Sequence, residues 1–211
     1  PIPLSEIVLE WEIMDDGGES KNISLLLLAI PKELVDTFRR ISEDAGFRLR
    51  ALEIETLSAV RALVGNDTTP SAVINIGHQA TSLAIVDRAK IRLAQNFSHG
   101  SNELTLALER GLGISHERAE ELKKDIGISE RIEEQEISAI ITPLLEAQIF
   151  EIEKTISIYN RHAQKKVQKI ILTGGGSSLK GLVDLVSNRT GTEVTKGNPF
   201  ARVVTPPLLQ P

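Results

Sequence analysis

At 211 residues, with 41% hydrophobic and 25% charged side chains, the chain has ordinary globular composition and the length to bury a core in one large domain or two small ones. Its net charge of −5 offers no electrostatic footing for nucleic acid, and the lack of cysteine excludes disulfides, thiolate metal sites and cysteine nucleophiles. The longest apolar run, Leu25 to Ile30, is far too short to cross a bilayer, so no direct membrane insertion is expected.

Pro1-Ile2-Pro3 leads without an initiator methionine into a strand pattern, so the sequence reads as beginning in mid-protein. Ile7, Leu9, Trp11 and Ile13 alternate with mostly polar neighbours, which predicts a half-buried strand. Asp15-Asp16-Gly17-Gly18 marks a turn, and Ile23 to Ile30 reads as a more deeply buried strand. Pro31 suits the first turn of a helix whose apolar face is Leu34, Phe38, Ile41 and Ala45, with Gly46 as its stop. Phe47 to Leu52 is expected as a strand and Glu55 to Val64 as a helix ending at Gly65. Asn66 to Pro70 is the best candidate for a linker, with a second unit after it.

In that second unit Ala72 to Ile76 and Leu83 to Val86 read as strands around the turn Gly77-His78-Gln79-Ala80, and Ile91 to Phe97 as a third. Helices are expected over Asn102 to Arg110 and Ser115 to Lys124, with Ser115 as the cap. Leu145, Ile149, Ile152, Ile156 and Tyr159 form the stripe of a long helix, which Pro143 either begins, with Thr142 as cap, or kinks within a longer one. A strand from Val167 to Leu172, a helix around Leu179 to Val186 and a short strand near Val194 complete a mixed α/β pattern.

Three segments carry chemistry. ILTGGGSSLKGL, residues 171–182, sets Gly174, Gly175 and Gly176 between a strand and a helix, where main-chain N–H groups can face a phosphate or lie beneath a purine. Close packing alone would explain the same glycines, and no Walker lysine or G-x-G-x-x-G accompanies them. INIGHQATSLAIVD, residues 74–87, is a hairpin whose turn amides and Thr81 hydroxyl could clamp phosphate, or simply a hairpin turn. Asn75 on that strand is an amide and cannot supply the negative charge that a metal or attacking water would favour. On a helix, AEELKK places Glu120 three residues from Lys123 and four from Lys124. That spacing makes either a solvated salt bridge or a grip on ribose hydroxyls and a nearby phosphate. His99, His116 and His162 share no ligand spacing, and no metal site is assigned.

A phosphate hairpin, a helical Glu-x-x-Lys and a strand-Gly-Gly-Gly-helix follow one another in the same order in the actin-like ATPase fold. PIPLSEIVLEWEI, LLLLAIPKELVDTF, FRLRALEIETLSAVRAL, AEELKK, ILTGGGSSLKGL and the closing Asn198-Pro199-Phe200 together resemble the type IV pilus assembly protein PilM family, from Pro1 to about Ala201. The cell-division protein FtsA is a more distant relative.

The resemblance implies an α/β, actin-like (ribonuclease H-like) fold that is N-terminally incomplete, because the similarity begins beyond the first phosphate loop such folds carry. It implies that Asn75, Gly77, His78, Gln79 and Thr81 lie toward the phosphates of ATP, held with Mg2+ in a full-length protein. Glu120, Lys123 and Lys124 would meet the ribose and base, and Gly174, Gly175, Gly176 and Ser177 would support the adenosine. As it stands the chain is expected to bind ATP weakly or not at all. By position, residues 1–48 would be a small inserted subdomain and 49–69 the remainder of the first core domain. Residues 70–102 and 166–211 would form the second core domain, and 103–165 a helical subdomain beside the cleft.

The implied role is a cytoplasmic adaptor of the pilus inner-membrane platform that binds the cytoplasmic N-terminal peptide of PilN, with Ile2 to Ile13 and Leu25 to Phe38 as the region to watch. Oligomerisation is compatible with it, and nucleic acid is not an expected partner. Alternatives are an active ATPase or sugar-kinase-like enzyme on the same fold, which Asn75 disfavours, and an FtsA-like division protein. The latter calls for an amphipathic C-terminal helix, which three prolines between Val203 and Pro211 break.

Overall fold

Alternation at the start of the chain does produce a strand. In the computed structural model, which describes residues 2–14 and 24–203, β1 (Ile7–Met14) pairs antiparallel with β2 (Ser24–Pro31), Trp11 opposite Leu27 and Ile13 opposite Leu25. The chain divides into two compact units, Pro1–Ile54 and Glu55–Pro211. The expected turn at Asp15 to Gly18 and the tail from Val204 lie outside the described residues.

In the first unit, Leu9, Trp11 and Ile13 share one face of the hairpin with Leu25 and Leu27, because side chains alternate across a strand. This face is exposed, Trp11 by 61% and Leu27 by 59%, so the expected burial of β1 and the deep burial of β2 do not occur. The opposite face of β2, with Leu26, Leu28 and Ile30, is half-buried, and α1 (Lys32–Asp44) packs against β2. Leu34, Phe38 and Ile41 do form a stripe on α1, yet each is exposed. Gly46 stops the helix at φ +73°. Phe47 to Leu52 forms no strand; an apolar run gains a ladder only where another strand offers free N–H and C=O groups.

The second unit is built on a five-stranded sheet in the order β5-β4-β3-β6-β7, comprising β3 (Ser71–Ile76), β4 (Thr81–Asp87), β5 (Lys90–Phe97), β6 (Lys169–Thr173) and β7 (Glu193–Lys196). Strands β3, β4 and β5 form an antiparallel meander, while β6 runs parallel to both β3 and β7. On one face α2 (Glu55–Leu63) covers Val73, Ala84, Val86 and Ile171 through Val60 and the following Val64. On the other, Ile74, Leu83, Ile85, Ile170 and Leu172 meet α3 (Ser101–Leu112), α5 (Gln135–His162) and α6 (Leu182–Thr190) through Leu108, Ile141, Leu145, Ile149, Leu182 and Val186. Pro143 lies inside α5, which runs unbroken through it, so it does not begin the helix. Between α3 and α5, α4 (His116–Asp125) starts at Ser115, whose hydroxyl accepts from Arg118 N at 3.3 Å, as the sequence predicts.

Residues 66–70 are not a free linker. The Asp67 carboxylate accepts from Thr69 N at 2.8 Å and from the Lys169 ammonium, and Gln168 N donates to Pro70 O at 2.9 Å. These bonds sew the loop to the sheet, and the boundary between units falls at Ile54–Glu55. Among the described residues no helix is long and apolar enough to cross a membrane.

Candidate functional site

The turn joining β3 to β4 is held from two sides. Gly77 N donates to Ala80 O at 2.9 Å within the turn. The first amides of α3 then reach it: Ser101 N donates to Gly77 O and Asn102 N to His78 O, both at 2.9 Å. Two of the N–H groups that a helix start leaves without an internal partner are thereby satisfied, and the turn is fixed to α3. The close fit requires Gly100, where an added Cβ would run into His78 O and stand 2.6 Å from the Gln79 carbonyl carbon. Thr81 is buried, and its hydroxyl donates to His99 O at 2.8 Å.

Parallel pairing of β3 with β6 brings the glycines alongside this hairpin, with Asn75 opposite Thr173. Gly174 has φ +82°, and an added Cβ would lie 2.5 Å from Ile76 O and closer still to Asn75 Oδ1. Gly176 would meet the Ile76 side chain in the same way, whereas a Cβ on Gly175 has nothing within 4 Å. Ser177 is buried, its hydroxyl donating to Gly174 O at 2.7 Å. Asn75 shares its strand face with Val73, which packs toward α2, and its amide accordingly donates to Glu55 Oε1 at the start of that helix.

The third element is α4. Lys123 is almost fully enclosed, at 7% side-chain exposure, and its ammonium lies 2.6 Å from Glu120 Oε2. It also donates to Thr105 Oγ1 at 2.8 Å and to Ser101 O at 3.2 Å. Thr105 Oγ1 in turn donates to the same Glu120 oxygen at 2.6 Å. Burial would raise the Glu120 pKa, but hydrogen bonds from Lys123 and Thr105, the Lys123 charge and Lys124 outweigh it and hold the group at about 2. Lys124, at 69% exposure, stands 3.3 Å from Glu120 Oε1.

A cleft of about 490 Å³ opens where these three elements meet, lined by His78, Ser101, Glu120, Lys123, Lys124, Gly175, Gly176 and Ser178 over a floor of Leu104 and Leu179. Its volume is that of a small-molecule site. Of the residues singled out in the sequence, His78, Glu120, Lys123, Lys124, Gly175 and Gly176 come together on its wall. Asn75, Gly77, Gln79, Thr81, Gly174 and Ser177 do not line it; apart from Gln79, which is exposed at the turn, each has a packing or hydrogen-bonding role behind it. Sequence reasoning missed Gly100, Ser101 and Thr105. A glycine directly ahead of a predicted helix start was the available signal for the first; nothing local distinguishes Thr105.

The lining has the chemistry to take a nucleotide. Gly175 leaves bare main chain on the wall, two apolar side chains form the floor, and Lys124 and His78 stand at the rim.

The pattern of the family described as Type IV pilus assembly protein PilM matches residues 1–208. The cell division protein FtsA of Enterococcus hirae is 27% identical over 192 residues, covering 80% of this chain and 43% of FtsA. Among solved structures, the PilM-PilN type IV pilus biogenesis complex superimposes with a TM-score of 0.82 at 22% identity, over 99% of this chain and 61% of that one. MreB5 of Spiroplasma citri bound to AMPPNP gives 0.60 at 15% identity, over 79% and 60%. These likenesses establish the actin-like fold. The chain thus spans 43% of the length of FtsA and 61% of the matched chain of the PilM-PilN complex.

Proposed function

Because the chain belongs to the Type IV pilus assembly protein PilM family, we propose that it is the nucleotide-binding part of a cytoplasmic adaptor in the pilus inner-membrane platform, with the cytoplasmic N-terminal peptide of PilN as its partner. The observation that carries the reading is the convergence of His78, the Glu120–Lys124 segment and Gly175–Gly176 on one cleft from three distant stretches of sequence. On this reading Gly175 and Gly176 back the adenosine, Glu120 and Lys124 reach the ribose side, and His78 lies toward the phosphates. The MreB5 relative was solved with AMPPNP, which supports ATP as the ligand class. Bound nucleotide acts as a structural ligand rather than a substrate turned over, since the Asn75 amide is committed to Glu55 and offers no carboxylate for a metal. By family position residues 1–48 are then the inserted subdomain and 49–69 the rest of the first core domain, whose helix α2 packs on the five-stranded sheet. The second core domain comprises 70–102 and 166–211, and 103–165 is the helical subdomain.

The exposed apolar face of the β1–β2 hairpin supports a peptide partner, because main-chain ladders and side-chain pockets together capture an extended segment. Trp11, the single tryptophan, lies on that face at 61% exposure. Adding the PilN peptide is expected to shift Trp11 emission to the blue, and adding MgATP at millimolar concentration to move the amide resonances of His78, Gly175 and Gly176. An unmoved emission maximum overturns the partner; MgATP shifts scattered away from the cleft, or none, overturn the nucleotide.

A further inference from the structure

Lys123 is the residue that a Glu-x-x-Lys reading offers to the ligand, yet its bonding is already complete. An ammonium has three N–H groups, and here three acceptors surround it: Ser101 O, Thr105 Oγ1 and Glu120 Oε2. Thr105 is fully buried on α3 and uses both sides of its hydroxyl, accepting from Lys123 and donating to Glu120 Oε2. The two interactions leave Glu120 Oε2 no role toward a ligand. Oε1 remains, with the exposed Lys124 at 3.3 Å.

We infer that Thr105 and Lys123 are positioning residues. They lock Glu120 so that Oε1 alone is presented to a ribose hydroxyl, and Lys124 rather than Lys123 is the cation that the ligand meets. The assignment rests on the nucleotide reading above and sharpens it. The clamp joins α3 to α4, and α3 is the helix whose first amides hold the phosphate-side turn. Removing the Thr105 hydroxyl therefore frees a buried charge pair next to the ligand without touching the ligand itself.

The test has two arms on the same chain. Without ligand, the Lys123 side-chain N–H resonances should be visible in wild type and in Thr105→Ser, being shielded from exchange by three acceptors, and lost in Thr105→Val. With MgATP and Mg-2′-deoxyATP, wild type and Thr105→Ser should prefer the ribonucleotide by roughly ten-fold, the effect of one charge-assisted hydrogen bond, and Thr105→Val should lose that preference. Lys124→Gln, a change at an exposed position, should weaken MgATP roughly ten-fold with no change in melting temperature, whether or not Thr105→Val folds. Equal preference in wild type and Thr105→Val, Lys123 resonances that persist in Thr105→Val, or unchanged affinity in Lys124→Gln each overturn the inference while leaving the nucleotide reading intact. Wild type that shows the Lys123 resonances but no response to either nucleotide overturns the nucleotide reading itself, and the ribose role with it.

Discussion

At Gly174 the backbone runs at φ +82°, and a side chain would be driven into Asn75 Oδ1 and Ile76 O. One residue later, Gly175 faces open space and has no positive φ. Three consecutive glycines thus answer two different demands: Gly174 and Gly176 let β6 turn tightly against the β3–β4 hairpin, and Gly175 leaves room on the cleft wall. Gly174→Ala should therefore cost about 2–4 kcal/mol of unfolding free energy, from strain at positive φ plus overpacking against main chain that cannot yield. Gly175→Ala should stay within about 0.5 kcal/mol while reducing the MgATP response. Urea denaturation of the two variants checks the contrast. Equal costs would mean that the turn is under one uniform constraint, and the packing account of Gly174 would fail.

Between β5 and α3 the connection is short and carries His99, whose Nδ1 lies 3.0 Å from Glu103 Oε1 one helical turn on. Gln148 of α5 donates to the other Glu103 oxygen at 3.3 Å, and Glu151 Oε2 lies 4.0 Å from His99 Nε2. The hydrogen bond to Glu103 outweighs burial and, with the charges of Glu103 and Glu151, raises the His99 pKa above its ordinary 6.5. A raised value means that folding favours the protonated imidazole. The stabilisation is complete below the unfolded value and disappears as pH climbs through the folded one. Wild type should therefore exceed His99→Gln in melting temperature by more at pH 5.5 than at pH 8.5; a gap that is constant or reversed would show that the ion pair contributes nothing. Such a junction also shows what the sequence reveals at this scale. Elements of the second unit were legible because their apolar residues are buried on the sheet faces that the pattern implies, as at Ile74, Ile85 and Leu172. In the first unit β1, β2 and α1 were legible as elements but not in their burial, and the strand expected over Phe47 to Leu52 does not form: periodicity says that Leu34, Phe38 and Ile41 share a side of α1, not that anything covers it. The AEELKK half of the clamp could be found because its partners stand three and four residues apart on one helix. Thr105, fifteen positions before Glu120, could not, since only the packing of α3 on α4 brings the two together.

Across the whole molecule the hydrophobic core is unevenly distributed. Every buried apolar side chain among the described residues belongs to the second unit, where two clusters cover both faces of the five-stranded sheet. Among the described residues of the first unit none is buried. A two-stranded hairpin with one helix removes too little apolar surface from water to offset the entropy of ordering its chain. Residues 55–203 expressed alone should consequently melt in one cooperative transition, while residues 1–54 alone should show the far-ultraviolet spectrum and rapid proteolysis of an unfolded peptide. If the 1–54 fragment gave a cooperative transition of its own, its apolar face would be a folded surface in its own right. The hairpin would then stand ready-made for the proposed PilN peptide. If it is unfolded, the hairpin is not stable by itself, and capture of the proposed peptide would draw part of its free energy from stabilising the fold of this unit. The two outcomes separate in the heat capacity of binding the proposed PilN peptide, which should be more negative in the second case than docking on a rigid face of the same area would give.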